Sequence, residues 1–432
     1  MTAGTADTRS NWPPMVSTFT GSPREIGTAF GKMQRAALQE EQAVWLERGA
    51  EHDFSRDDLL AFAAPSVKVV EEIAPHWLEE AVATAEAAGL DEEVYIAGMF
   101  YIGPTARGGR QWFCPEPDEC TSYTVSSDYT EGNRVFFHRT RDNTPRPQTG
   151  ALWETKLPGV NRFMAVTYSI ERSLSVYVNE KGLVSSGDQG GPPSTTRKDA
   201  GIMSGLLKRY VAEHAASCEE ALEIIKWFTG EGWYAGGKPG SRYTMADLTG
   251  TILDVCHNSD PGSLTWSRVE GKSHITRTWE GTADQMLREL AEPVEFLAFR
   301  NIYRHPDAKI CRGANSIAGM TVRVHPEFPE YLTTAWFSFP SISLALPLYM
   351  GGTATPLPLM DGSLYSLCAD LPEDVETWET MERTMQRNSL LLESRAETLL
   401  REGRTDEARR LIDDWTQSTA AAHLLLLEKS RG

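Results

Sequence analysis

Cysteine is scarce in this chain of 432 residues: there are six, at positions 114, 120, 218, 256, 311 and 368, and no Cys-x-x-Cys pair among them. That density excludes a disulfide-built scaffold, and the spacing offers no zinc or thioredoxin-like site. A His-Glu-x-x-His run, a Walker A glycine loop and any cluster of Cys and His are also missing, so neither a metal nor a nucleotide cofactor is expected. Positive charge is short as well. Forty-two Lys and Arg stand against 60 Asp and Glu, a net charge of −18, which argues against nucleic acid or an anionic membrane as a partner. No stretch reaches the roughly 18 consecutive apolar residues of a spanning helix. The opening MTAGTADTRSNWPP has no basic segment leading into an apolar one, the pattern of a secretion signal. A cytoplasmic protein is expected.

What is present is ordinary for a globular chain: 41% apolar and 24% charged residues, enough to fill a large core. Ser22-Pro23-Arg24-Glu25 has the form of a capping box with Pro at the first helical position, and Ile26, Phe30, Met33 and Ala37 follow at helical spacing, so a helix is expected from Pro23. Two further helical stripes begin at Ser55 and near Leu78 and end at Ala88-Gly89. Residues 1 to about 113 therefore read as a helical leader. The stretch IGPTARGGRQWFCPEPDE collapses into Gly, Pro and charge and reads as an exposed loop open to cleavage.

Directly after that loop the period becomes two. Thr121, Tyr123 and Val125 alternate, SSDYTEGNR supplies a turn, and VFFHRT returns, so Cys120 opens a hairpin. Further strands are expected at FMAVTYSI, LSVYVN, LVSSG, RYTMAD with TILDV, MTVRVH and TTAWFSF. Helices are expected from Gly201 to His214 and after Ser217, and the last 60 residues should form two helices separated near Gly403. Asp188-Gln189-Gly190-Gly191 reads as a turn. The order of helices and strands is that of an α+β protein.

Cys120 stands where β propensity alone favours Val, Ile or Tyr. Arg139 follows nineteen positions later and Asp142 twenty-two, on the strand that returns beside Cys120. An arginine near a thiol favours the thiolate, and an aspartate orients a neighbouring amine or guanidinium. Arg139 and Asp142 have opposite parity, so both reach one site only if the strand ends near Thr140; Asn143-Thr144-Pro145 is suited to such an ending.

Glu119-Cys120-Thr121-Ser122 together with FHRTRDN resembles the start of the mature chain in cysteine N-terminal nucleophile (Ntn) hydrolases. The organisation is most similar to the autoproteolytic acyl-coenzyme A:6-aminopenicillanic acid acyltransferase (isopenicillin N acyltransferase)-like family. FTGSPREIGTAFG resembles that family's propeptide opening, VNEKGLVSSG its Asn-Glu-x-Gly-Leu strand pair, and YTMADLTGTILDV its Ala-Asp-x-x-Gly hairpin. LPLYMGG is similar to a segment of the related dipeptidase branch, and bile-salt hydrolases and penicillin V acylases share the Cys, Arg, Asp pattern. The resemblance implies a four-layer α-β-β-α sandwich, a propeptide-like region at 1–119 and a catalytic domain at 120–432. It also implies cleavage between Glu119 and Cys120, with Cys120 as nucleophile and its own freed amine as base. Arg139 and Asp142 match the family's positioning residues, and Asp188 and Gln189 lie near its oxyanion position, where Gln189 is able to donate. The second oxyanion asparagine has no counterpart by motif; Asn258 and Asn315 are the unplaced candidates. The substrate implied is a small acyl amide or acyl thioester, hydrolysed or transferred through a Cys120 thioester.

Other readings stand beside this one. A strand-start cysteine is by itself a small buried hydrophobe, and Arg139 with Asp142 is by itself a strand-end salt bridge. Glu119, bulkier than the glycine often found before such nucleophiles, leaves room for an uncleaved, inactive binding protein of the same fold. A dipeptidase-like peptidase, or an unprocessed thiol enzyme with His138 or His257 as base, completes the set.

Overall fold

The computed structural model describes residues 14–100, 119–143, 148–168, 173–195, 198, 200–235, 240–276, 281–311, 315–371 and 375–430. The loop read at 102–119 lies outside them as far as residue 118, Cys114 included, while Glu119 is already the first residue of a strand. Strand β1 (Met15–Gly21) opens the chain, followed by α1 (Pro23–Met33), α2 (Arg35–Glu51), α3 (Arg56–Ile73), α4 (Pro75–Ala88) and α5 (Glu92–Phe100). Six strands come next: β2 (Glu119–Val125), β3 (Phe136–Asp142), β4 (Gln148–Thr155), β5 (Phe163–Tyr168), β6 (Leu174–Asn179) and β7 (Val184–Gly191). Helices α6 (Ser204–His214) and α7 (Cys218–Glu231) lead to β8 (Gly240–Ala246), β9 (Ile252–His257), β10 (Thr265–Arg268) and β11 (Ser273–Ile275). The remainder is α8 (Ala283–Glu289), α9 (Phe296–Asn301), β12 (Ser316–Arg323), α10 (Pro329–Leu332), β13 (Thr334–Ser338), β14 (Leu346–Tyr349), α11 (Leu357–Met360), α12 (Ser363–Asp370), α13 (Val375–Arg401) and α14 (Thr405–Ser430).

The strands form two sheets. One has eight strands in the order β1-β4-β5-β6-β7-β8-β9-β10, the other six in the order β11-β2-β3-β12-β13-β14. Alternation along each strand gives each sheet two apolar faces. Phe19, Trp153, Phe163, Tyr177 and Tyr243 leave the outer face of the larger sheet and pack on Ile26, Phe30, Trp77, Leu207, Ile225 and Phe228 of α1, α4, α6 and α7. Tyr123, Phe136 and Trp336 leave the outer face of the smaller sheet toward Phe296 and Phe299 of α9. The inner faces meet each other: the Ser186 hydroxyl of β7 donates to Ser122 Oγ of β2 at 2.7 Å, and Phe337 of β13 lies against Gly150 of β4. The result is the α-β-β-α sandwich expected.

Buried ion clusters fasten the outer helices. Arg300 and Arg304 converge on Glu382 of α13, whose carboxylate also accepts from Ala345 N. Arg323 of β12 and Arg134 share Glu393 on the same face of α13, about three turns further along. Among the described residues no helix is long and apolar enough to cross a membrane.

The leader differs from its reading in one respect. The capping box at Ser22 forms, with Glu25 Oε2 accepting from Ser22 N at 2.7 Å, but a strand precedes it, and β1 pairs in parallel with β4 along its whole length. Neither strand shows clean alternation; both lie between two apolar layers, where the pattern is lost. The second departure is at Asp188 to Gly191, which forms the end of β7 paired to β8 and is no turn.

Candidate active site

The hairpin of β2 and β3 sets the centre. In its ladder Cys120 is opposite Arg141, Ser122 opposite Arg139 and Glu119 opposite Asp142. Ser122 faces the larger sheet, as its bond to Ser186 shows, and strand parity puts Cys120, Arg139 and Arg141 on that same inner face. Arg139, diagonal to Cys120, donates from Nη2 to the sulfur at 2.8 Å. Its Nη1 donates to the carbonyl of Ser175 on β6, and its Nε lies 3.6 Å from Asp188 Oδ1 on β7. Cys120, Arg139 and Asp188 are all buried, at 1%, 3% and 4% exposure. A guanidinium held this way against sulfur favours the thiolate, and Asp188 offsets the buried cation.

A fourth side chain was not read from the sequence. Lys208, buried on α6, donates from Nζ to the same Ser175 carbonyl at 3.3 Å. Burial and the charges of Arg139 and Arg141 lower its pKa well below that of a free lysine, against the opposing pull of Asp188 and Cys120. The signal was present: Lys208 sits four residues before Ala212, within the buried stripe that Leu207, Val211 and Ala212 mark on α6, a position where a lysine has no solvent to reach.

The remaining candidates fall as follows. β3 continues through Asp142, so the early strand ending that would bring Asp142 and Arg139 to one face does not occur; Asp142 Oδ1 instead accepts from the Ser316 hydroxyl of β12. Asp188 joins the cluster as a charge partner of Arg139, 3.6 Å from its Nε, and is no oxyanion donor. The side chains of Gln189 and Glu119 lie outside the described residues. Asn258 is engaged locally, donating to Pro192 O at 3.0 Å and accepting from Asp260 N, and Asn315 is exposed, its carbonyl accepting from Asn143 N.

Neither histidine shares the inner face with Cys120. His138 bonds Thr321 and Thr140 and stacks on Tyr303, on the outer side of the smaller sheet. His257 is enclosed by the rings of Tyr234 and Tyr243 on the outer side of the larger one, where burial and then Lys208 push its pKa down to about 3. A thiol–imidazole dyad is therefore not built here. Among the described residues no group of three or more His, Cys, Asp or Glu side chains is arranged to hold a metal ion.

No protein-family model matches this chain, and no curated protein does. Among solved structures it is similar to penicillin V acylase from Agrobacterium tumefaciens, at 12% identity over 53% of this chain and 86% of that one, with a TM-score of 0.39. An N-acylethanolamine-hydrolyzing acid amidase ortholog from Caenorhabditis elegans matches at 12% identity over 49% of this chain and 94% of its own, TM-score 0.36. A conjugated bile acid hydrolase from Clostridium perfringens matches at 10% identity over 54% and 92%, TM-score 0.33.

Proposed function

We propose that this chain is a cysteine Ntn amidohydrolase or acyltransferase, with Cys120 as nucleophile and a small acyl amide or acyl thioester as substrate. The observation that carries the reading is the 2.8 Å contact between Arg139 Nη2 and Cys120 Sγ, made toward the open end of a hairpin and on the face enclosed between two sheets.

In this reading cleavage between Glu119 and Cys120 frees the α-amine of Cys120. A thiol near pKa 8.5 and an α-amine near 8 are matched closely enough for the amine to take the proton, each value being approximate for the free group. The thiolate, held against Arg139, attacks the acyl carbon; the tetrahedral intermediate expels the amine, which takes the proton back from the Cys120 ammonium; water or a second amine then resolves the thioester. Asp188 holds Arg139 in place, and Asp142, tied to Ser316, steadies the strand opposite the cut. The leader, 1–119, stays attached after cleavage through β1 and through the ion cluster that joins α4 to α6. Cys120→Ala in the full chain is the test: both self-cleavage and turnover of N-acyl amino acids, penicillins or acyl thioesters are lost, and turnover retained in a pure preparation overturns the reading.

One observation favours a second reading, an uncleaved binding protein. Glu119 pairs with Asp142 in the ladder, so the bond to be cut lies in regular strand, away from any strained turn. Intact mass separates the two: a pair of fragments meeting at 119/120 excludes the uncleaved form, and a single unbroken chain supports it.

A further inference from the structure

The carbonyl of Ser175 owes its availability to an irregularity. β5 and β6 pair Val166 with Val176 and then Thr167 with Leu174, leaving Ser175 as the extra residue of a bulge, a device that turns backbone groups out of a ladder. On the other side β6 and β7 pair only from Val176–Ser186 onward, so the strands part at this point. Through that opening Lys208 reaches from the helical layer to the level of the sheet. Gly187 makes the passage possible: a Cβ there would lie 2.5 Å from Lys208 Nζ and 2.9 Å from Tyr243 Cε1.

We propose that Lys208 is a positioning residue for Cys120: it and Arg139 grip the Ser175 carbonyl together, and this shared anchor holds the guanidinium against the sulfur. The inference rests on the reading of Cys120 as nucleophile and adds a residue that the family resemblance did not supply. The groups facing Lys208 are Cys120 of β2, Arg139 and Arg141 of β3, Asp188 of β7, Tyr243 of β8, whose ring centroid is 5.8 Å away, and His257 of β9. Two cations oppose its charge while the thiolate and Asp188 support it, so ionisation of Cys120 and protonation of Lys208 favour one another. Losing the amine removes both the anchor and that coupling, and each loss disfavours the thiolate.

The test titrates the ultraviolet thiolate absorbance of the full chain, taken as the difference between each protein and its Cys120→Ala counterpart. It needs neither a substrate nor solvent access to the sulfur. Lys208→Met is expected to raise the half-titration point of Cys120 by about one pH unit, a roughly tenfold loss of thiolate at neutral pH, while Lys208→Arg, which keeps a charged donor, returns most of it. Gly187→Ala, which displaces Nζ without removing it, is expected to move the curve the same way by a smaller amount. A folded Lys208→Met protein whose curve superimposes on the unmodified one overturns the proposal. Should that variant fail to fold, an unmoved curve in Gly187→Ala does the same. The nucleophile reading fails separately, on activity retained by Cys120→Ala, and that outcome leaves the comparison of curves intact.

Discussion

Lys208 and Arg209 are consecutive residues of α6 that serve different neighbours: Lys208 reaches the Ser175 carbonyl beside Cys120, while Arg209 donates to Glu80 of α4 at 2.7 Å and to Glu213 at 2.9 Å. One turn of helix thus carries both a contact with the site and the grip on the N-terminal helices. Among the described residues Glu213 receives Arg209, His76 and the indole N–H of Trp77, so α4 is fastened by charge as well as by the apolar packing of Trp77 and Ala81.

Replacing Arg209 with Met leaves two buried carboxylates facing each other without their cation. The expected cost is about 3–5 kcal/mol of folding free energy, read from denaturant unfolding of the full chain. A loss of under about 1 kcal/mol would show that Glu80 and Glu213 find other partners or protonate cheaply.

Arg139 makes contacts in three directions, to sulfur, to a carbonyl and toward a carboxylate, and only a planar fork does so at once. Arg139→Lys keeps the charge and loses the geometry. Turnover, once a substrate is in hand, is expected to fall at least about tenfold, equivalent to about 1.4 kcal/mol of barrier, and Arg139→Met to fall further. Equal rates for Lys and Met would mean that the fork alone matters; a Lys variant as fast as the parent would deny Arg139 its role.

Acid is expected to unfold the protein in two stages. His257 is buried neutral, its pKa pushed by burial and then by Lys208 from an ordinary 6.5 down to about 3; the unfolded chain binds that proton first, so the stability it contributes is whole above 6.5 and drains as pH falls toward 3. Burial of His138, helped by Arg300 and Arg304, lowers it in the same direction. Burial alone would raise Glu213, but Arg209 and His76 outweigh it and lower the carboxyl from 4.5 to about 2, so its contribution is present above 4.5 and drains toward 2. As pH falls, the unfolding free energy should decline below 6.5 as the histidines charge and steepen under 4.5. His257→Gln should make the first decline shallower; an unchanged slope would deny His257 its part.

Gly150 lies where the sheets touch, and a Cβ there would be 2.8 Å from Phe337 Cδ1 and 2.9 Å from Val16 Cγ2. Gly150→Ala overpacks the inner layer and is expected to lower stability by about 1–3 kcal/mol, seen as an earlier thermal transition. No change would mean that Phe337 swings aside freely.

Legibility followed pattern strength. The hairpins at β2–β3 and β8–β9, the capping box at Ser22, the helix start at Ser55 and the long pair α13 and α14 were readable because each is a local rule applied to a few neighbouring residues. β1 and β4 were not, since a strand covered on both faces shows no alternation, and Gln148 to Thr155 follows a Pro-rich run that masks its start. At the site, Arg139 was found through its spacing and Asp188 through its neighbourhood to the Asn-Glu-Lys-Gly-Leu stretch, though with the wrong local structure. Lys208 and the Ser175 carbonyl escaped because one comes from a distant helix and the other is backbone, and no spacing rule connects position 175 to positions 139 and 208.

The parallel seam between β1 and β4 bears on how the protein has to be made. A gene opening at Cys120 would encode a sheet stripped of its outermost member, with the backbone groups of residues 149–155 exposed as a template for stray strands. Producing the shortened form directly is therefore expected to yield aggregates, whereas a chain that carries β1 folds with that edge already covered.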